Sequence, residues 1–321
     1  MNYATAQRLH PLIEPLHPLS MWLKISTVLL VSVLIKAEPT QPTWAVAMPI
    51  FAALVLIPIG IQTLINRKTS FNISKTVLNS HLAVVILLAI SFVLDKGIVA
   101  GCLALPYFLW CLSILGRGIK FDFSLTYLMI FAAFGFLTNA AAWLVFDRFD
   151  YQPLGFSSWI VLLTGAHFHY AGFALTLSLA FLLMENRNNK WAKTASLGVL
   201  SGVVLTATGI TTTQLGITHF VETTAGVWMS IAAFVSAIAF LLRGLREKRK
   251  ARFLFIIGAS CLMLGMILAF FYALRNVIPL SFLSIPTMQA VHGSLNALGF
   301  GTLTLFGFAL SHAEFTEDTE V

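Results

Sequence analysis

Apolar runs of roughly 17 or more residues recur along the chain, each closed by a short cluster of charged, proline or glycine residues. A helix of that length crosses a hydrocarbon core about 30 Å thick at a rise of about 1.5 Å per residue. No stretch alternates apolar and polar positions over the ten or so residues of a barrel strand. An all-α polytopic transmembrane bundle is therefore the predicted fold. The pattern parses into ten spans: about 19–35, 44–65, 76–94, 97–115, 123–146, 156–184, 194–214, 217–242, 253–274 and 284–310. Glu38-Pro39 with Pro42, Asn66-Arg67-Lys68, Asp95-Lys96, and Asp147-Arg148-Phe149-Asp150 with Pro153-Leu154-Gly155 mark the turns.

Composition agrees with this pattern. The 321 residues are 58% hydrophobic and 10% charged, with a mean hydropathy of +0.87, where a soluble domain carries about 25% charged residues. One integral membrane domain spanning 1–321 is expected, with a short N-terminal lead up to Pro18 and a short acidic tail, Glu314 to Glu320. The first apolar run has no convincing cleavage site and is read as a retained span. Cys102, Cys111 and Cys261 fall in apolar spans without a CxxC pairing and imply no disulfide.

Charge then orients the bundle. With the N-terminus inside, the inner segments hold Arg8, Arg67, Lys68, Lys75, Arg117, Lys120, Arg187, Lys190, Lys193, Arg243, Arg246, Lys248, Arg249, Lys250 and Arg252. The outer segments hold Lys36, Lys96, Arg148 and Arg275, and Lys24 lies within the first span. A 15-to-4 bias is a positive-inside pattern, so both termini are expected to be cytoplasmic. The net charge of +7 is explained by these loops. It implies the lipid bilayer as partner, and no nucleic acid.

Candidate chemistry appears where polar residues enter the apolar runs. The stretch Gly165-Ala166-His167-Phe168-His169-Tyr170-Ala171-Gly172-Phe173 lies about ten residues into the sixth span. That is roughly 15 Å deep, where ionisable groups are costly and mark sites by default. His219 and Glu222 lie in the first turns of the eighth span. Gln289, His292 and Asn296 form a stripe on the tenth, and Asn139 and Trp143 lie in the outer third of the fifth.

All these groups fall in the outer half of the membrane. Helical spacing puts His219 with Glu222, Gln289 with His292, His292 with Asn296, and His167 with Tyr170 on shared faces. His167 and His169 are about 200° apart on an ideal helix and so point to different surroundings. Small residues such as Gly165, Gly172, Gly293 and Gly299 allow close approach. Taken singly, each histidine is as readily a hydrogen bond between helices as a reacting group. Convergence from four helices at one depth is what argues for a site. Glu222 is the one acid placed inside a span, where burial favours a neutral carboxyl group able to donate a proton.

The remaining polar residues receive plainer readings. His81 and His312 are interfacial, Lys24 snorkels, and Asp147, Arg148 and Asp150 form a solvated loop from which Asp147 could cap the site. No internal repeat and no broken-helix signature are evident, although Thr211-Thr212-Thr213-Gln214 could accommodate an irregular helix end.

Two motifs carry a resemblance. Leu163-Thr164-Gly165-Ala166-His167-Phe168-His169-Tyr170-Ala171-Gly172-Phe173, preceded by Leu154-Gly155-Phe156, is one. The other is His292-Gly293-Ser294-Leu295-Asn296-Ala297-Leu298-Gly299-Phe300. With the multi-span pattern, they make the chain resemble the YndJ-like family of bacterial integral membrane proteins. The resemblance implies a multi-pass protein of the bacterial inner (cytoplasmic) membrane, labelled a transporter in some members. Some members carry an extra soluble C-terminal domain, for which this sequence has no counterpart. The resemblance supports the histidine positions and supplies no reaction.

Three functions fit the polar cluster. The first is an enzyme doing acid–base chemistry on a lipid or isoprenoid, with Glu222 as the acid and His167 or His169 with His292 relaying protons. Tyr170, His219, Asn296, Asn139, Trp143 and Gln289 would then contact the substrate. The second is a transporter using the same cluster as a substrate or proton site. The third is a haem or metal protein using His167, His169, His219 and His292. The aromatic and Met content shows no cofactor box, so the identity of any cofactor stays open.

Overall fold

Short polar residues start several of the helices. Ser74, Ser124, Ser157, Asn189 and Ser284 each accept a hydrogen bond from the backbone N–H three residues on, closing one orphan donor of the helix that follows. The computed structural model describes residues 18–36, 41–67, 69, 73–117, 123–247, 250–278, 280 and 282–317. The N-terminal lead, Glu38-Pro39, Lys68, Lys120, Lys248-Arg249, the tail beyond 317 and the side chain of His312 lie outside the described residues.

Among those residues, nine helices are long and apolar enough to cross a membrane. They are α2 (Pro42–Asn66), α3 (Lys75–Val93), α4 (Ile98–Gly116), α5 (Leu125–Arg148), α6 (Ser158–Glu185), α7 (Lys190–Gln214), α8 (Phe220–Arg246), α9 (Ala251–Asn276) and α10 (Ile285–Ser311). A shorter helix, α1 (Pro18–Leu34), has 17 residues and lies against α2. Several helices outrun their apolar windows because polar ends add turns. Asn189 starts α7 ahead of its apolar run, and Arg243 and Arg246 fill the last turn of α8.

Two helices occupy the centre. In α2 and α6, 83% and 78% of the apolar window is buried, against 33–56% in the other spans. Helices α3, α4 and α5 pack in series on one side, and α7, α8 and α9 in series on the other, while α10 closes against α2, α6 and α9. One end of the bundle carries Arg67, Glu185, Lys190 and Arg246 and is called here the basic end. The far end carries Gln41, Lys96, Asp147, Gln214, Glu222 and Arg275.

The three mutually packed helices α2, α6 and α10 depart from α-helical winding. Wider π turns cover Ala52–Leu56 in α2, Phe168–Ala174 in α6, and Gln289–Gly293 and Leu295–Gly301 in α10. The cause is legible in α2. Ile57 N–H bonds back to the Ala52 carbonyl, and the next donor in line, Pro58, has no N–H. The Ala53 carbonyl is thereby orphaned in an apolar core, where an unmade bond is costly. His81 of α3 fills the gap, its Nε2–H donating to Ala53 O at 2.9 Å. His81 is thus buried and no interfacial residue, as position near a span end had suggested. Its ring lies 4.8 Å from that of Trp110, whose indole N–H donates to Val77 O.

Two further expectations are corrected. Asp147 and Arg148, read as a solvated loop, are buried and belong to the end of α5. Arg148 donates to Asp147 and to the Ser91 and Leu94 carbonyls, and stacks over Phe92, so it caps the exposed C-terminal acceptors of α3. Lys96 bonds Asp147 and Ser158, tying the α3–α4 turn to α5 and α6. Lys24 is also buried, where snorkelling to the surface was expected.

His81→Ala leaves the Ala53 carbonyl unpaired and is expected to cost about 1–3 kcal/mol in thermal or denaturant unfolding. In a Pro58→Ala background the restored N–H can reach that carbonyl, so the same change should cost clearly less. Equal costs in both backgrounds would contradict the role given to Pro58.

Candidate functional site

The residues singled out in the sequence separate into three places. His169 sits in the π turn of α6 and is fully buried. Its Nδ1–H donates to the Gly165 carbonyl at 2.7 Å, which fixes the tautomer and leaves Nε2 to accept from Tyr107 Oη of α4 at 2.9 Å. The Tyr107 and His169 rings stack, and Tyr107 stacks in turn on Trp110. His169 therefore faces α4, with both nitrogens spoken for. Tyr170 turns towards α2, donating its hydroxyl to the Met48 carbonyl at 2.7 Å. Gly301 of α10 packs on this ring, where an added Cβ would lie 3.3 Å from it and 3.2 Å from the Asn296 carbonyl.

His292, in the first π turn of α10, faces α9. Its Nδ1–H donates to the Gly265 carbonyl at 2.8 Å, and Asn296 Nδ2 lies 3.1 Å from Nε2 and donates to it. The Asn296 Oδ1 is buried without a partner among the described residues. Gln289 is buried nearer the far end, its amide donating to Gln41 O while its oxygen accepts from Trp159 Nε1. Beside it, Trp44 Nε1 donates to Ser294 Oγ at 3.1 Å. These two indoles knit α2, α6 and α10 together above the histidines.

His167 differs from the other two histidines. It is exposed, makes no hydrogen bond among the described residues, and is the tenth residue of α6. The neighbouring α7 explains how a mid-depth side chain becomes accessible. From Ala192 to Val203 that helix buries seven residues, whereas from Val204 to Gln214 it buries Gly209 alone. Gly209 meets α8 so closely that a Cβ there would lie 2.6 Å from the Glu222 Cα. The far half of α7 is thus held by α8 and leaves the α6 side loosely covered.

Glu222 lies apart from the histidines. It is the third residue of α8, so at 1.5 Å per residue it is about 10 Å nearer the far end than His167. Arg275 at the end of α9 binds its carboxylate, while its other oxygen is buried without a partner among the described residues. The apolar surroundings required of a neutral proton donor are replaced by a guanidinium, and no hydrogen bond among the described residues joins Glu222 to a histidine. His219 precedes the helix, exposed, with no side-chain cap bond. Asn139 is half-buried without a side-chain hydrogen bond among the described residues, and Trp143 packs edge-on against Phe146 and Phe156. Among the described residues, no three His, Cys, Asp or Glu side chains meet in a way that could hold a metal ion.

Sequence reasoning missed Tyr107, Trp44 and Trp159, because each is a lone aromatic in an apolar run whose polar tip matters only through a partner on another helix. It also missed the ion pairs at the basic end. There Glu185 joins Arg67 and Arg243, Arg243 pairs with Glu247, and Ser311 bonds both Arg243 and Glu247. A lone acid at the end of a span facing basic loops was the available signal.

The family model described as YndJ-like protein matches residues 47–300, from ahead of the π turn of α2 into that of α10. No curated protein and no solved structure matches the chain.

Tyr107→Phe removes the donor to a fully buried imidazole and is expected to lower stability by about 1–3 kcal/mol in thermal unfolding. Asn139→Ala, with no side-chain bond to lose, should change it by under about 0.5 kcal/mol. The reverse order would contradict the assigned contacts.

Proposed function

The chain belongs to the YndJ-like family, and on that premise we propose that it is a multi-pass membrane protein acting on a lipophilic substrate at His167. One observation carries this reading. His167 has no hydrogen bond among the described residues, and it is exposed part-way along α6, a helix that packs on α10. A ring in that position can give or take a proton from a substrate that enters from the lipid. His292, held by Gly265 and Asn296, ties α10 to α9. His169 and Tyr170 hold the helices that form the wall. Glu222 has no place in this chemistry, since Arg275 occupies it. An enzyme of acid–base type is the form of the reading that an apolar approach with few polar groups favours.

A transporter is the second reading, favoured by the π turns in α2, α6 and α10. Such turns are frequent at functional sites, and here three helices that pack on one another all contain them. In either reading the chain crosses the bacterial inner membrane ten times with both termini cytoplasmic. The 15-to-4 loop bias supports this, with α1 as the tenth span.

The test is what the purified protein retains. Wild type extracted in mild detergent is expected to carry a lipophilic compound by mass spectrometry, and His167→Ala should retain about tenfold less, the effect of one hydrogen bond. His219→Ala should retain it fully. The same complement in wild type and His167→Ala would reject the proposal.

A further inference from the structure

At the basic end, a cavity of about 110 Å³ opens between the ends of α6 and α8 and the start of α7. A single water needs only about 10–15 Å³ of such space. Leu182, Ala239 and Leu242 form its apolar side, and Glu185, Asn186, Asn189, Arg243 and Arg246 its polar side, with Trp191 also in its wall. We propose that this cavity binds a phosphate anion, carried by the headgroup of an anionic phospholipid.

The charge balance comes first. Glu185 spends both oxygens on Arg67 and Arg243, and Glu247 pairs with Arg243. Two carboxylates thus face three guanidiniums. Arg243 is fully engaged, whereas Arg246 is exposed and has no ion pair among the described residues. The donors agree with the charge. Asn186 Oδ1 accepts from the Asn188 N–H, and Asn189 Oδ1 accepts from the Ala192 N–H. Each carbonyl oxygen is therefore used locally, which leaves the amide NH₂ groups as donors. A guanidinium and two amides suit phosphate oxygens. Exposed Arg187 and Lys190 flank the asparagines and add to the positive field.

The apolar wall and Trp191 choose between sources of phosphate. Trp191 is 47% exposed at a helix start, where an indole sits at the headgroup level of a bilayer. A free phosphate ion would gain nothing from Leu182, Leu242 and this ring, whereas a lipid would seat its glycerol and first methylenes there. Basic pockets between spanning helices are a recurrent way of holding lipid headgroups.

The experiment uses the full chain in nanodiscs of phosphatidylcholine doped with phosphatidylglycerol, with bound lipid counted by native mass spectrometry. Wild type is expected to enrich phosphatidylglycerol over phosphatidylcholine, and Arg246→Gln to lower that enrichment about fivefold. Lys75→Gln, an exposed cation at the same end outside the cavity, should leave it unchanged. Melting curves of both variants check folding. Equal losses in the two variants would reduce the effect to surface charge and overturn the site. Displacement of the lipid by millimolar inorganic phosphate would overturn the lipid assignment. No enrichment in the wild type would overturn both.

Discussion

A backbone carbonyl left without its helical donor in an apolar core must find another, and at Ala53 that donor is an imidazole, as imidazoles also bond the carbonyls of Gly165 and Gly265. The Ala53 carbonyl, abandoned because Pro58 has no N–H, is met by His81. The Gly165 carbonyl, one turn before the π segment of α6, is met by His169, and the Gly265 carbonyl of α9 by His292. In that apolar core His81 offsets the cost of an unmade bond at Ala53, about 1–3 kcal/mol. His81 reaches the wide turn of α2 from a neighbouring helix, His169 bonds within α6, and His292 ties the wide turn of α10 to α9. The same donors fix the tautomers, which in turn decide what Tyr107 and Asn296 can do.

That constraint divides the histidines into structural and available ones. His81, His169 and His292 have their protonated nitrogens committed to carbonyls. His167, on the same helix as His169, points away because two residues along a helix turn the side chain to the other face. Its freedom follows from the geometry that ties down its neighbour. The loosely covered far half of α7 leaves this one ring reachable. Function is therefore argued from the group the fold has no use for, and the committed rings are the frame that positions it.

Much of the architecture was legible in the sequence. Apolar windows located the helices to within about four residues, missing mainly where Asn189, Arg243 and Arg246 extend them into polar ends. The histidines were found because charge-bearing groups at mid-depth are conspicuous. Their partners were not, for two reasons. Most are backbone carbonyls, which carry no sequence label, and the π turns that release or aim them depend on long-range packing. Pro58, five residues after Ala53, was the one local sign. Glu222 was misjudged because its depth was taken from an apolar window that begins before the helix does, and because Arg275 was placed in a loop. Asp147 and Arg148 illustrate the same limit, since a charged pair at a helix end reads as solvated until the carbonyls of α3 are seen beside it.

The central claim concerns which nitrogen of each ring carries the proton, and that can be read directly. Solid-state ¹⁵N NMR of histidine-labelled protein in lipid bilayers, assigned by single His substitutions, distinguishes the two tautomers. Protonation at Nε2 of His81 and at Nδ1 of both His169 and His292 is the predicted result. His169 or His292 protonated at Nε2 instead would mean that the Gly165 or Gly265 carbonyl is not its partner, and the account of the core would be wrong.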